Sequence, residues 1–277
     1  MIRHLYIHVP FCARICPYCA FHVHRGGVEE HRAFVAALRR EWRAAREEFP
    51  LGLETIYFGG ETPSILSAEL FSELAEELPR ERAIPEFTLE VNPATVTEAK
   101  ARAWRAAGVN RISLGAQSFD AAMLELLGRQ HGPKDVAETC DLLRAHGFEN
   151  INIDLMFALP GQSLALWEST LAAALAYRPE HVSAYALTYE EDTPFFEKRG
   201  LWRLEPAPWA KITRPSCSSG TVRSPSSRTL GSVSISIVRL PTTGSGTGSA
   251  ATRSGGTSRP SSSSRQTSAS GMGEKSA

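Results

Sequence analysis

The stretch RHLYIHVPFCARICPYCAFH (residues 3–22) runs from a β-rich segment directly into three cysteines, Cys12, Cys16 and Cys19. The segment RHLYIHV (3–9) is rich in the β-branched and aromatic residues that favour strands. Thiolates are soft ligands that suit iron–sulfur clusters and zinc. The stretch therefore predicts a metal-binding loop placed directly after the first strand of the fold.

The same β-rich pattern recurs five more times before residue 190, with longer amphipathic runs between the recurrences. Apolar residues at helical spacing are clearest in 29–48 and 165–177. This alternation is typical of repeated βα units and a parallel sheet, so the fold class is α/β, and six units predict a partial (β/α)6 TIM-like barrel. The predicted strands are 3–9, 55–60, 87–93, 111–117, 151–158 and 181–189. In such a fold the chemistry lies at the carboxyl ends of the strands.

Length and composition permit an ordinary enzyme. The 277 residues carry a formal net charge of zero and are 42% hydrophobic, so the totals indicate neither a nucleic-acid partner nor disorder. No secretory signal and no run of about eighteen apolar residues is present, and we expect a cytoplasmic protein. Five cysteines, an odd count, make a poor disulfide framework.

The chain changes character near residue 206. From Thr213 onward, 29 of 65 residues are Ser or Thr, and Glu274 is the one acidic residue. Such a segment cannot build a core, so we expect a core domain at 1–205 and an unfolded low-complexity tail at 206–277. The abrupt loss of acidic residues favours out-of-frame translation of GC-rich coding DNA over an ordinary disordered tail.

Three thiolates in one loop can hold three irons of a four-iron cluster and leave the fourth iron open to a substrate or cofactor. Two alternatives remain at this point. His22 or His24 could complete a zinc site with the three cysteines, although structural zinc usually pairs two well-separated ligand pairs. The cysteines could also be unconnected buried residues.

A Cys-x3-Cys-x2-Cys loop after a first strand, followed by a second strand that ends in Gly-Gly, resembles the radical S-adenosylmethionine (SAM) superfamily. Further segments are similar to the oxygen-independent coproporphyrinogen III oxidase-like family, and most of all to its HemW-type heme chaperones. These segments are LYIHVPFC (5–12), CPYCAF (16–21), YFGGETPSIL (57–66), EVNPATVT (90–97), RISLGAQSFD (111–120), LGRQH (127–131), NIDLMFALPGQS (152–163) and SAYALTYEEDTPF (183–195). The resemblance covers about residues 2–205.

The resemblance implies a radical SAM barrel with a [4Fe–4S] cluster on Cys12, Cys16 and Cys19 and SAM bound to the open iron. An electron from a donor such as flavodoxin or ferredoxin then cleaves SAM to methionine and a 5′-deoxyadenosyl radical. The positions that match SAM contacts of the family are Tyr6, Tyr18, Gly60, Glu61, Thr62, Glu90, Gln117, Arg129, Asp154 and Thr188.

Four of these positions have physical reasons of their own. Arg129 offers a planar fork for a carboxylate, Glu90 suits ribose hydroxyls, and Asp154, in an apolar run, needs a partner for its carboxylate. Glu61 replaces the third glycine of the family's Gly-Gly-Gly-Thr-Pro element. It either adds an acceptor for the SAM ammonium or clashes, if that position requires a positive φ.

The chaperone and oxidase branches differ at two features. The oxidases generally have a fourth cysteine where this chain has Phe21, and they extend further before the first strand. Both features favour a chaperone that binds heme or a porphyrin and delivers heme to respiratory proteins. The chaperones' C-terminal His-Asn-x-x-Tyr element is absent, and no histidine follows His181, so the heme-binding region is expected to be lost. Coproporphyrinogen III oxidation to protoporphyrinogen IX is the alternative activity, and a non-enzymatic zinc module is the second alternative.

Overall fold

The six strands predicted from the sequence all form, and a seventh, very short strand joins them. The strands are β1 (Ile2–Val9), β2 (Leu51–Gly60), β3 (Glu86–Val91), β4 (Arg111–Gln117), β5 (Ile151–Phe157), β6 (His181–Ala186) and β7 (Ile235–Ser236). The sheet order is β6-β5-β4-β3-β2-β1-β7. Each strand from β2 to β6 is parallel to the strand before it, whereas β7 is antiparallel to β1. This sequential parallel order is that of an open βα barrel, and the predicted fold class is confirmed.

The computed structural model describes residues 1–79 and 83–200 together with Ile235–Ser236. These residues belong to one compact unit, Met1–Arg239, and a second unit, Leu240–Ala277, lies outside the described residues. Apart from Ile235–Ser236, the predicted tail at 206–277 also lies outside them.

Helices connect the strands, and side chains that accept hydrogen bonds mark where several of them begin. The helices are α1 (Val28–Glu48), α2 (Ala68–Ala75), α3 (Glu98–Ala107), α4 (Ala121–Leu126), α5 (Pro133–Ala145), α6 (Leu164–Ala176) and α7 (Pro194–Lys198). Thr97, Asp120 and Ser163 each accept a hydrogen bond from a backbone N–H in the first turn of the helix that follows. No helix of the described residues combines the length and apolar character needed to cross a bilayer.

The two faces of the sheet differ in chemistry. In β1, Leu5, Ile7 and Val9 are buried in the main core, which also contains the buried residues of α1. The alternating residues of the same strand are His4, Tyr6 and His8, and they are only half-buried. The interior of an ordinary TIM barrel is filled by branched aliphatic side chains. Here the face away from the helices is polar, which leaves it suited to a polar ligand.

Candidate functional site

The predicted site residues gather at one end of the parallel sheet. The segment that follows β1 contains the three cysteines, and the segment that follows β2 contains Glu61 and Thr62. Gln117 is the last residue of β4, and Glu90 is the last but one of β3. Because carboxyl ends of parallel strands meet at one edge, these residues lie around a common mouth.

The three cysteines lie on a closed loop, which we call the cysteine loop (residues 10–24). The backbone N–H of Cys12 donates to His24 O at 3.2 Å, and the N–H of His24 donates to Pro10 O at 2.8 Å. A further backbone bond, from Cys19 N to Cys16 O at 3.0 Å, tightens the tip of the loop. All three thiols are free and half-buried, so the loop presents them without a disulfide.

The thiols contact polar groups from other parts of the barrel. Cys12 Sγ lies 3.0 Å from Thr62 Oγ1, and Arg129 Nη1 donates to Cys16 Sγ at 3.8 Å. Burial is the main reason that the pKa values of the Cys12 and Cys19 thiols are raised. A bound metal would hold these sulfurs as thiolates in spite of that cost.

No three His, Cys, Asp or Glu side chains within residues 1–79 and 83–200 converge to hold a single metal ion. A four-iron cluster places its thiolate ligands on different irons, so it does not require such convergence. His22 and His24, the predicted alternative ligands, are exposed, and their rings lie 6.1 Å apart.

Gly60 shapes the end of β2 through its backbone conformation. Its φ is +113°, and a Cβ at this position would lie 2.7 Å from the Val9 carbonyl oxygen. Only glycine tolerates both conditions. Glu61 is not among the residues with positive φ, so the clash considered for it from the sequence does not occur.

Glu61 points into the structure and is almost completely buried. Its side chain is 1% exposed, and its Oε2 lies 3.2 Å from Nε2 of His8. The neighbouring Glu61 carboxylate is the main reason that the pKa of His8 is raised. On its other side, His8 Nδ1 lies 3.2 Å from the Tyr6 hydroxyl. Burial and then the Glu90 and Glu61 carboxylates raise the pKa of Tyr6 to about 12.

Glu90 is held by a tyrosine that the sequence analysis did not single out. The Tyr57 hydroxyl donates to Glu90 Oε1 at 2.7 Å. Burial, and then the charge of Asp154, raises the pKa of the Glu90 carboxyl. Two carboxylates, Glu61 and Glu90, thus lie in the same half-buried mouth, which favours a cationic ligand between them.

Asp154 has the partners that its position in an apolar strand required. Ser113 Oγ donates to Asp154 Oδ2 at 2.8 Å, and Asn152 Nδ2 donates to Asp154 Oδ1 at 2.7 Å. Asn152 Nδ2 also lies 2.8 Å from Ser113 Oγ. The three side chains form one network across β4 and β5, and this network fixes the Asp154 carboxylate.

Arg129 reaches the cysteine loop because of the glycine before it. Gly128 has a φ of +67°, and a Cβ there would lie 2.7 Å from Pro17 Cδ. This close approach brings Arg129 to Cys16, while Arg129 Nη2 donates to Gly115 O at 2.9 Å. Arg129 Nε is buried and has no hydrogen-bond partner among the described residues. A buried donor without a partner is costly, so this guanidinium can accept an anionic ligand.

The remaining predicted positions divide into two groups. Gln117 is buried with a φ of +68° and accepts a hydrogen bond from the Tyr185 hydroxyl. Tyr18 lies on the cysteine loop, with its ring 6.1 Å from that of Phe195. Thr188, by contrast, lies two residues beyond β6 and is exposed. The structure therefore brings Gln117 and Tyr18 into the mouth, whereas Thr188 is an exposed residue beyond the carboxyl end of β6.

The profile of the radical SAM superfamily matches residues 6–174 of the chain. This match includes the cysteine loop and β1 from Tyr6 onward, continues through β2 to β5, and ends within α6. The chain belongs to the radical SAM superfamily.

Several curated relatives carry the name heme chaperone HemW, among them proteins of Lactococcus lactis and Bacillus subtilis. The chain is 39% identical to the Lactococcus lactis protein over 205 residues. This aligned region covers 72% of this chain and 53% of the relative. It is 38% identical to the Bacillus subtilis protein over 213 residues, and this aligned region covers 75% of this chain and 56% of the relative. Our chain thus spans about half the length of the curated relatives it matches.

A solved structure of a radical SAM enzyme is also similar to this chain. The chain is similar to the Escherichia coli coproporphyrinogen III oxidase HemN, which is described as a radical SAM enzyme, with a TM-score of 0.68 and 25% identity. The similarity covers 76% of this chain and 50% of that one. The sequence resemblance to a HemW- and HemN-like radical SAM family is confirmed.

The residues present fit the cofactors that the radical SAM superfamily implies, a [4Fe–4S] cluster and SAM. The donor set consists of three free thiols on one loop, and thiolates are the ligands that iron–sulfur clusters take. Two buried atoms, Glu61 Oε2 and Arg129 Nε, have no hydrogen-bond partner among the described residues. Both features suit a zwitterionic ligand beside the cysteine loop.

Sequence reasoning missed three contacts at this mouth: Tyr57, Tyr185 and the role of His8. His8 lies two residues after Tyr6 on the same face of β1, Tyr57 bonds to Glu90, and Tyr185 bonds to Gln117. The period-two alternation of polar residues along β1 and β2 was the signal that could have found them.

Proposed function

We propose that the chain binds a [4Fe–4S] cluster through Cys12, Cys16 and Cys19, binds SAM at the iron without a protein ligand, and acts in heme metabolism as a HemW-type protein. One observation carries the proposal. Three free thiols on one loop lie beside Thr62 and the partly unsatisfied Arg129 at the carboxyl end of a parallel sheet.

The charges of the mouth match those of SAM, which has an ammonium, a sulfonium and a carboxylate. Arg129 is assigned to the carboxylate, because its fork binds two oxygens. Glu61 is assigned to the ammonium, and Glu90 with Gln117 to the ribose hydroxyls. Tyr6, Tyr18, Gly60, Thr62, Asp154 and Thr188 complete the proposed SAM contacts.

The cluster, once bound, would supply the electron that cleaves SAM, and an external donor such as flavodoxin or ferredoxin would reduce it. The protein's own contribution is to orient SAM and to keep water from the mouth. The apolar cluster of Leu127, Met156, Leu159, Leu187 and Phe195, packed against Tyr18, supports this exclusion.

Heme is the proposed cargo, with respiratory heme proteins as acceptors. The names of the curated relatives and Phe21, at the place of the oxidases' fourth cysteine, support this assignment. The chain lacks a His-Asn-x-x-Tyr element and has no histidine after His181. We therefore assign cluster and SAM binding to residues 1–205 and expect weak heme binding by this chain.

Anaerobic reconstitution with iron and sulfide tests the first part. We expect about four iron and four sulfide per chain, and a change in the electron paramagnetic resonance (EPR) spectrum of the reduced cluster on addition of SAM. Replacing Cys12, Cys16 and Cys19 by Ala should abolish cluster assembly and the EPR response to SAM. Cys140→Ala, in the buried core, should leave the iron content and the EPR response unchanged. A colourless protein that holds zinc and no sulfide would instead establish the zinc module.

Coproporphyrinogen III oxidation is the second candidate, because the structural match to HemN favours it. Incubation of the reconstituted protein with coproporphyrinogen III, SAM and a reductant decides between the two. We expect no decarboxylated product. Formation of harderoporphyrinogen together with 5′-deoxyadenosine would assign the oxidase activity and overturn the chaperone assignment.

A further inference from the structure

His8 is the side chain that lies against the buried Glu61 carboxylate. Its Nε2 lies 3.2 Å from Glu61 Oε2, and the exposed fractions of the two side chains are 38% and 1%. A buried carboxylate needs a neighbouring charge or donor to compensate for the lost water. Glu61 Oε2 has no hydrogen-bond partner among the described residues, so the compensation comes from the ion-pair contact with His8, which leaves this oxygen free to accept from a ligand.

The tautomer of His8 is set by its other neighbour. The Tyr6 hydroxyl lies 3.2 Å from His8 Nδ1. The Tyr6 ring stacks on the Tyr57 ring, with 5.9 Å between the ring centroids. If the Tyr6 O–H donates to Nδ1, the hydrogen of the neutral imidazole is on Nε2, 3.2 Å from Glu61 Oε2. Nε2 then carries a hydrogen in both the neutral and the protonated imidazole, and protonation makes the contact an ion pair.

We propose that His8 is a positioning residue for SAM, which holds the Glu61 carboxylate in place for the SAM ammonium. The inference rests on the proposed function, because it concerns the same SAM site. His8 acts through Glu61 and does not itself contact the ligand.

The arrangement also couples SAM binding to a proton. Three titratable groups face His8: Tyr6 from its own strand, Glu61 from the segment after β2, and Glu90 from β3. Their carboxylates favour the protonated imidazole in the free protein. An ammonium at Glu61 repels that proton, so SAM binding releases it, and affinity rises as pH increases through the titration of His8.

The test uses the full chain with its cluster reconstituted, and follows SAM affinity by EPR or absorbance titration between about pH 6 and 8.5. His8→Leu removes the donor and should weaken SAM binding about tenfold or more. His8→Gln keeps an amide donor without a titrating group, and should restore affinity to within about threefold and flatten the pH profile. Glu90→Gln separates the contribution of Glu90 to that profile.

His4→Leu is the matched control. His4 lies four residues earlier on the same face of β1 and pairs with Thr55 Oγ1 at 2.9 Å, away from Glu61. It should leave SAM affinity unchanged. Unchanged affinity in His8→Leu, an equal loss in His4→Leu, or a pH profile that persists in His8→Gln would each overturn the inference.

Two further outcomes have defined meanings. If His8→Leu does not assemble the cluster, His8→Gln decides the matter by its affinity and pH profile. If the wild-type chain assembles the cluster but shows no SAM binding, the proposed function fails, and this inference fails with it. Failure of His8 variants alone, with SAM binding intact in the wild type, leaves the proposed function standing.

Discussion

At the scale of single residues, Gly60 is the position where the backbone leaves least freedom. Ala at Gly60 would combine a φ of +113° with a contact of 2.7 Å to Val9 O, whereas Ala at Gly108 would have a φ of +96° and open space. We expect Gly60→Ala to lower the free energy of unfolding by about 1–3 kcal/mol more than Gly108→Ala. Urea denaturation and iron content measure the effect, and equal losses in the two variants would contradict it.

The residues of the mouth also show what a sequence can and cannot indicate. The spacing of Cys12, Cys16 and Cys19 predicted their common loop, because few other functions need three thiols so close together. The sequence did not determine whether Glu61 has a positive φ. The structure shows that the positive φ belongs to Gly60. Tyr57 and His8 were missed, since a polar residue on a strand usually reports a solvated face, and only the fold shows that this face forms a site.

At the scale of elements, the strands were predictable because buried parallel strands form short apolar runs between helices. The residues at which the strands end were less predictable. β6 ends at Ala186, three residues before the predicted end, because Leu187 leaves the sheet for the smaller core beside Tyr18. β7 was not predicted, since a two-residue pairing with β1 leaves no periodic signal.

One ion cluster joins α1 to the segment after α2 and makes stability depend on pH. Glu77 pairs with Arg43, with Arg39 at 2.9 Å and with Arg46 at 3.8 Å. Arg43, followed by Arg39, lowers the pKa of Glu77 from 4.5 to about 2. Because the folded-state pKa is depressed, the stabilisation is present above pH 4.5 and is lost as the pH falls towards 2.

Replacing Glu77 tests this dependence. Glu77→Gln should lower the free energy of unfolding by about 1–2 kcal/mol at pH 7, since the arginines are partly exposed and solvent screens the pairs. The difference from wild type should shrink towards zero near pH 2. Glu73→Gln, which removes a single exposed partner of Arg39 at 3.4 Å, is the control and should have little effect. A pH-independent difference for Glu77→Gln would show that the charge is not the cause.

At the scale of the whole molecule, charge and composition divide the chain at one point while the candidate site stays on one side of it. Every proposed cluster or SAM contact lies between Tyr6 and Thr188, and the superfamily match ends at residue 174. The strand pairing that the structure describes between this core and the Ser/Thr-rich segment joins Ile235–Ser236 to Tyr6 and Ile7 of β1. Because β1 leads into the cysteine loop, the question is whether this pairing stabilises the site.

The strength of the two pairings of β1 answers this question. β7 pairs with two residues of β1, and each backbone hydrogen bond contributes about 0.5–1.5 kcal/mol. β2 pairs with β1 from Ile2 to Val9, and the β1 side chains Leu5, Ile7 and Val9 are buried in the main core. We therefore expect a chain that ends at residue 205 to assemble the same cluster and bind SAM within about threefold of the full chain. Loss of iron in the shortened chain and also in Ile235→Pro, which removes a backbone donor from the full chain, would instead show that the short strand supports the site.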